Sequence, residues 1–492
     1  MLTYKDLIMK RFFYLNVIAL VAVCMMGCSD FSESNKTEKP PNIIFIVTDD
    51  QGDWTLSIHD TPNSFTPELD KLAEEGALLK NAFATSAVCS PARASLITGR
   101  YPSETNIMDY IPVDSDIGMD TTLVTWPEVL QDQGYQTALI GKWHLGKNSD
   151  YLPNQRGYNI FEGFPVGGFK SKSPDVWSEG EWKTFKEEYT PDVLTDITLK
   201  HIQNFQQENK PFAISLHYWA PHANTQFPEG FQPPYDDRSW LPLKEEDLSY
   251  WLDKDPILPE PNFPNLDITR VSRMTKEYHA SVHSVDRNIG RIMTALDQLG
   301  LTENTIVIFT SDHGYMMGHH GLWHKGNGRW LTNNEEDPEG IYGSDRPNLF
   351  DISLKVPTIV RWPDKINSGT VIRETISFLD WYPTILSMTG VEKPENVILR
   401  GTNALPLLMG EEIEEWDNDI FAQYKTLRTY RTPEWKLVRD FSDEGKDEFY
   451  NLVMDPNEQN NLIHATDQAL QNKRDDLEKK MMDVMNTIND TP

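Results

Sequence analysis

Apolar residues along this chain gather in short β-branched runs separated by longer stretches of helical spacing. Asn42–Thr48 reads Asn-Ile-Ile-Phe-Ile-Val-Thr, an unbroken run that suits a strand buried on both faces of a parallel sheet. Runs of the same character cover Gln136–Ile140, Phe212–Leu216, Thr305–Thr310 and Val356–Arg361. Between them, Leu69–Ala77, Asp192–Gln207 and Tyr278–Gln298 carry helical periodicity. Strands alternating with helices predict an α/β fold with a mostly parallel central sheet sandwiched by helices. Further on the pattern shortens. Residues 420–424, 426–430, 435–440 and 448–452 alternate with turns and read as a smaller antiparallel sheet, followed by one amphipathic helix over 467–488. Three stretches, 147–189, 224–267 and 326–348, are rich in Pro, Gly, Trp and acidic residues. They resist assignment, and long inserts of this kind are often functional. The expected division is 1–28, a linker over 29–41, a main domain over 42–395 and a C-terminal α+β subdomain over 396–492.

Each apolar run stops abruptly at chemistry-bearing residues: Asp49-Asp50, Gly141-Lys142-Trp143-His144, His217 with Ala220-Pro221-His222, and Ser311-Asp312-His313. Ligands of open α/β sheets bind outside the carboxyl ends of the strands, so four ends deliver Asp, Lys and His to one rim. Adjacent carboxylates repel unless a cation or hydrogen bonds compensate. Asp49-Asp50 alone reads as a turn or cap. With Asp312-His313 at a second strand end, a hard divalent cation such as Ca²⁺ or Mg²⁺ becomes the better reading.

Composition sharpens this picture. Acidic residues outnumber basic ones 75 to 45, for a net charge of −30, which argues against a nucleic-acid partner. A small cationic pocket remains compatible with that surface. Met9-Lys10-Arg11 gives a basic start, and Phe12–Met26 is an apolar stretch too short for a confident membrane span. The stretch ends in Met25-Met26-Gly27-Cys28, which resembles a bacterial lipobox with Met25 in place of the usual Leu. The expectation is an exported lipoprotein of a Gram-negative bacterium, in the periplasm or at the outer membrane, with a membrane anchor through lipid on Cys28. A plain secretory signal is the alternative. Of the three cysteines, Cys24 lies in the segment to be removed and Cys28 is the anchor, so Cys89 alone remains for the folded body.

Cys89 opens the run Cys-Ser-Pro-Ala-Arg-Ala-Ser-Leu-Ile-Thr-Gly-Arg. Pro91 fits the first turn of a helix, and Thr98-Gly99 ends it. Cys89 therefore sits at a helix N-terminus, where free N–H groups favour an anion, with Arg93 one turn along. A redox or structural thiol is one reading of such a site. The run resembles the first signature of the formylglycine-dependent sulfatases, in which the Cys of Cys-x-Pro-x-Arg is oxidised to an aldehyde. Gly134-Tyr135-Gln136-Thr137-Ala138-Leu139-Ile140-Gly141-Lys142-Trp143-His144 resembles the second. The likeness runs from Asn42 to about Asn460, including Phe449-Tyr450-Asn451-Leu452 before Asp455-Pro456.

That resemblance implies an alkaline-phosphatase-like fold and a sulfuric ester hydrolase. It implies Asp49, Asp50, Asp312 and His313 as ligands of a divalent ion, calcium being usual and magnesium the alternative, with residue 89 beside the ion. Lys142, His144, His222, Arg93 and Lys325 (in Trp323-His324-Lys325-Gly326) are implied to hold and work on the sulfate. His217, His319, His320 and His324 stand as structural or substrate-contacting. The implied partners are a formylglycine-generating maturation enzyme and a sulfated carbohydrate, an algal polysaccharide or glycosaminoglycan fragment. Trp177, Trp182, Trp219, Trp240, Trp251 and Trp330 are candidates to stack on sugar rings or to pack internally, and Arg428 to reach the rim. Rival readings are a formylglycine-dependent phosphodiesterase or phosphonate hydrolase, and a lipoprotein that only binds glycans.

Overall fold

The run Asn42–Thr48 forms strand β1, every residue of it buried. Ile43, Phe45 and Val47 join the core on one face of the sheet, while Ile44 and Ile46 join the core on the other. An apolar run without alternation is what two covered faces require. The structure is a computed structural model that describes residues 39–233, 238–333, 345–442 and 445–492. The basic start, the apolar stretch, Cys24, Cys28 and nearly all of the linker lie outside the described residues. Among the described residues no helix is long and apolar enough to cross a membrane.

Ten strands make the main sheet: β1, β2 (Ala77–Phe83), β3 (Gln136–Lys142), β4 (Ile160–Phe164), β5 (Asp175–Ser178), β6 (Glu181–Thr184), β7 (Phe212–His217), β8 (Thr305–Ser311), β12 (Ile359–Arg361) and β13 (Thr370–Ser377). A short three-stranded sheet holds β9 (Leu322–Trp323), β10 (Asn327–Trp330) and β11 (Asp345–Pro347). The main sheet runs in the order β13-β2-β12-β8-β1-β7-β3-β4-β5-β6. Its centre is parallel; β12 is antiparallel to both neighbours, and the β5–β6 hairpin closes one edge. Helices Thr190–Glu208 and Ile268–Gln298 pack on one face through residues such as Leu194, Ile202, Ile289 and Leu296. Helices Cys89–Thr98, Trp126–Asp132 and Trp381–Thr389 cover the other.

The expected small antiparallel sheet is present as β14 (Ile420–Tyr424), β15 (Leu427–Arg431), β16 (Trp435–Asp440) and β17 (Glu448–Asn451), with helix Gln468–Ile488 packed on it through Leu477, Met481 and Met485. Its other face joins Phe83, Ala87 and Val88 in one apolar cluster. It thereby braces the segment that leads into Cys89.

Some elements differ from expectation. The helix expected over 69–77 spans Pro67–Glu74, because Pro67 starts it early. The chain then enters β2 after Gly76, where a Cβ would lie 2.3 Å from the Val360 carbonyl oxygen. The long helix begins at Ile268 rather than Tyr278, capped by the Asp267 carboxylate, which accepts from the Arg270 N–H. The first insert is partly sheet, supplying β4, β5 and β6, and the second contains helix Glu245–Leu252.

Candidate active site

Register builds the site. β1 and β8 lie side by side with Thr48 opposite Ser311, so the next residues of each, Asp49-Asp50 and Asp312-His313, emerge together. The Asp312 N–H donates to the Thr48 carbonyl at 2.9 Å, and the Asp50 N–H donates to Asp312 Oδ1 at 3.2 Å. On the other side of β1, β7 pairs Val47 with His217, and β3 pairs Gly141 with His217. Lys142 follows at once. Gly141 has φ +104°, and a Cβ there would lie 1.9 Å from the His217 carbonyl oxygen, so only glycine lets β3 deliver Lys142 here.

Cys89 is the first residue of its helix, after extended Val88, and Gly99 ends that helix in the left-handed conformation. Arg93, one turn on, donates from Nε to Asp312 Oδ2 at 2.8 Å and from Nη1 to the Lys142 carbonyl at 3.0 Å. Lys142 Nζ donates to Asp49 Oδ2 at 2.5 Å. Lys325 Nζ donates to Asp50 Oδ1 at 2.5 Å and stands 3.2 Å from Cys89 Sγ. Three buried cations thus face three buried carboxylates, the only way such charges persist without water. Burial pushes the Asp49 and Asp312 carboxyls up, but for Asp49 the charge of Lys142, and for Asp312 those of His313 and Arg93, outweigh it and hold both below the usual carboxylate range. Burial pushes Lys325 down, yet Asp50 beside it holds it well above its ordinary value. Burial raises the Cys89 thiol, and Lys142 and Lys325 more than reverse that, so the pocket favours an anion at residue 89.

Four buried atoms in this cluster have no hydrogen-bond partner among the described residues: Asp49 Oδ1, Asp50 Oδ2, His313 Nε2 and Arg93 Nη2. His313 donates from Nδ1–H to the Gly314 carbonyl at 2.8 Å, and its Nε2 lies 3.3 Å from Asp50 Oδ1 and 3.4 Å from Asp312 Oδ1. The ligand atoms of Asp49, Cys89, Asp312 and His313 all lie within 4.8 Å of one another. Orphaned buried oxygens are costly, and a set of carboxylates with one imidazole fits a hard divalent cation. The residues present therefore fit the ion that the sequence implies.

His144 and His222 lie above this layer. His144 adopts φ +62° and donates from Nε2–H to the Ile111 carbonyl at 2.8 Å. Its Nδ1 keeps a lone pair with no fixed partner, within reach of Cys89. A Cβ on Gly167 would come within 2.3 Å of the imidazole, so this glycine makes room for the ring. His222 donates from Nδ1–H to the Ala223 carbonyl at 2.6 Å and presents Nε2 3.5 Å from Asp50 Oδ2. The Trp219 ring backs both His222, at 4.1 Å between centroids, and Lys142, at 5.0 Å. A cavity of about 340 Å³ opens over Cys89 and Lys325, walled by the Tyr110–Val113 loop, Gly167-Gly168 and residues 222–226.

Every candidate residue from the sequence, Asp49, Asp50, Cys89, Arg93, Lys142, His144, His222, Asp312, His313 and Lys325, converges here. Others do not. Trp219, Trp240 and Trp251 are fully buried, Trp330 is buried, and Trp177 packs on Trp182 at the hairpin edge; none lines the cavity. Arg428 is buried in a pair with the Asp490 carboxylate, 2.5 Å from Nε, and stays away from the rim. His319 packs on Trp54 and His320 stacks on Phe350 at 3.9 Å, so both are structural. His217 lies beneath the site, held neutral because burial and Arg93 push it down to about 3. His324 lines the cavity. Sequence reasoning passed over Tyr110, Arg238 and Arg329, which also line it. They lie in loops and inserts without periodicity.

A parallel sheet that gathers acidic strand ends around a buried cationic cluster and a helix-starting Cys defines a hydrolase of the alkaline-phosphatase-like fold. The chain belongs to the sulfatase family: the family model described as Sulfatase matches residues 41–391, and a second, described as N-sulphoglucosamine sulphohydrolase, C-terminal, matches residues 340–487. It is therefore a sulfuric ester hydrolase. Among its relatives is an N-acetylglucosamine-6-O-sulfatase of Bacteroides thetaiotaomicron, 26% identical over 96% of this chain and 90% of that protein. Another is an ulvan-active sulfatase of Formosa agariphila, 27% identical over 95% and 87%. A structure solved with its substrate D-glucosamine-2-N,6-O-disulfate superposes with a TM-score of 0.74 at 22% identity, covering 92% of this chain and 99% of the other. The phosphonate monoester hydrolase of Agrobacterium radiobacter shares the fold at 0.62 and 22%, covering 91% and 96%.

Proposed function

We propose that this chain cleaves a sulfate ester of a carbohydrate at residue 89, matured from Cys89 to formylglycine by a separate enzyme, with a divalent cation, Ca²⁺ or Mg²⁺, held by Asp49, Asp50, Asp312, His313 and residue 89. The observation that carries this reading is Cys89 at a helix start, 3.2 Å from Lys325 Nζ and among orphaned carboxylate oxygens on a cavity floor. Formylglycine supplies, as its hydrate, one hydroxyl to attack sulfur and a second whose deprotonation later expels sulfate. The cation supplies charge that polarises the sulfate and favours the nucleophilic alkoxide.

The chain's own residues do the rest. Lys325, Lys142 and Arg93 form a fixed positive layer under the sulfate oxygens, already oriented by their carboxylates, so little reorganisation accompanies charge development. His222 presents Nε2 to the cavity, and His222 and Lys325 are the two candidates to protonate the departing sugar oxygen. His144 holds its Nδ1 lone pair toward residue 89 because Nε2–H is committed to Ile111. It takes the proton of the remaining hydroxyl, whose oxygen forms the C=O bond as the C–O bond to sulfate breaks, which releases sulfate and restores the aldehyde.

The relatives that act on N-acetylglucosamine 6-sulfate and ulvan support a sulfated carbohydrate as substrate. Parallel assays on sulfated oligosaccharides, an aryl sulfate, an aryl phosphate and a phosphonate monoester test the reading. Faster turnover of phosphate or phosphonate than of sulfate defeats it. A peptide mass spectrum tests the maturation: unmodified Cys89 in active protein from the native host overturns the nucleophile assignment. Export with lipidation at Cys28, in the periplasm or at the outer membrane, belongs to the same reading. Metabolic labelling with a palmitate analogue checks it, the label disappearing in Cys28→Ser.

A further inference from the structure

The chain carries a net charge of −30, yet among the described residues no aspartate or glutamate lines the cavity over Cys89. The cations that serve the scissile sulfate are committed at the floor: Lys142 to Asp49, Arg93 to Asp312 and Lys325 to Asp50. Two more guanidinium groups line the same cavity, those of Arg238 and Arg329. Both residues are exposed. Arg329 projects from β10, and its ion-pair partner Asp345 stands 3.9 Å away, with both side chains more than half exposed, a weak hold. Its charge reaches the floor, adding to burial, Lys325 and His222 in pushing down His324, whose ring lies 6.2 Å from that of His222.

We infer that Arg238 and Arg329 recognise a second anionic group on the substrate, a sulfate or a carboxylate distinct from the sulfate being cleaved. This rests on the sulfatase reading and narrows its substrate to a saccharide that is at least doubly anionic. A cavity served only by its floor would take neutral monosulfated sugars equally well. Two exposed arginines lining a cavity that shows no carboxylate among the described residues, in a strongly acidic protein, form a local field aimed at a further anion. Their planar forks suit the paired oxygens of sulfate or carboxylate.

The test compares the mature enzyme with Arg238→Gln/Arg329→Gln on three substrates: a disulfated saccharide, a monosulfated saccharide bearing a uronate, and a neutral monosulfated saccharide. The expected result is a kcat/KM for at least one doubly anionic substrate that falls about tenfold more than for the neutral one, the worth of a single hydrogen bond to a charged group. Whichever of the two substrates is affected identifies the second anion. Equal losses on all three would mean general steering of anions and would overturn the inference, as would no loss on any. Should the wild-type enzyme release sulfate from none of them, the sulfatase reading fails separately. Calorimetric binding of the disulfated saccharide to Cys89→Ser, with and without the two arginines, still tests the recognition, and unchanged affinity rejects it.

Discussion

Lys142 Nζ stands 2.5 Å from Asp49 Oδ2, and neither side chain has any solvent exposure. Residues from two strands separated by β7 meet there because the sheet order β1-β7-β3 and the Gly141 close approach bring their carboxyl ends level. The pair fixes one Asp49 oxygen and leaves the other, Oδ1, without a hydrogen-bond partner among the described residues. One carboxylate thus serves a lysine and remains available to a cation.

Replacing Lys142 by Met keeps the bulk and removes the charge. Asp49 is then left buried beside Asp312 without its hydrogen-bonded lysine, and breaking such a pair costs about 3–5 kcal/mol. Urea unfolding of Lys142→Met is expected to show that loss together with abolished sulfate release. A loss under about 1 kcal/mol, the scale of an exposed pair, would mean that the pair does not hold the site.

Removing the cation should destabilise as well as inactivate, because Asp49 Oδ1, Asp50 Oδ2 and His313 Nε2 have no other partner among the described residues. An ion present at a hundred times its Kd stabilises the folded state by about 2.7 kcal/mol. Chelator is expected to lower the melting temperature, and added Ca²⁺ to restore both stability and activity. Comparing Ca²⁺ with Mg²⁺ at equal free concentration ranks the two. An unchanged melting curve after exhaustive chelation, with metal analysis confirming none retained, counts against the site.

The chemistry was more legible in the sequence than the architecture around it. Asp49-Asp50, Asp312-His313 and Lys142 could be read because unbroken apolar runs mark buried strands, and the residues just past them must lie on one rim. The first insert was illegible for the opposite reason. β5 and β6 are an edge hairpin, Glu181–Thr184 is mostly exposed, and a solvated edge imposes no apolar period. The tryptophans stayed open between stacking and packing because composition does not distinguish a packed indole from a stacking platform; Trp219, Trp240 and Trp251 are core residues. Arg238 and Arg329 carried no signal, since only the folded chain brings the two inserts that hold them to one cavity.

His144 is expected to act after the first bond breaks, as base for the second hydroxyl. Asn tolerates the positive φ that His144 adopts, so His144→Asn separates chemistry from strain. This variant should release about one equivalent of alcohol in a burst and then turn over about 10²–10⁴-fold more slowly, the usual share of general-base catalysis. Mass spectrometry should find sulfate covalently retained on the peptide containing residue 89. A slow variant with neither burst nor sulfated peptide would place His144 before the covalent step instead.

His279 is buried among Trp54, Trp251 and Tyr278, and its Nε2 has no hydrogen-bond partner among the described residues. Burial alone pushes its pKa down from 6.5 to about 3. The sign follows from linkage. With the folded value depressed, the unfolded chain binds an extra proton between pH 6.5 and 3, so stability present above pH 6.5 is lost as pH falls through that window. From pH 7.5 to pH 5 this residue alone costs about 2 kcal/mol. His279→Phe keeps an aromatic ring in an aromatic pocket and removes the proton site. Denaturant unfolding at both pH values should show the variant gaining about 2 kcal/mol on the wild type between pH 7.5 and pH 5. A gap that stays constant with pH would show that His279 takes up its proton in the folded state as readily as in the unfolded chain.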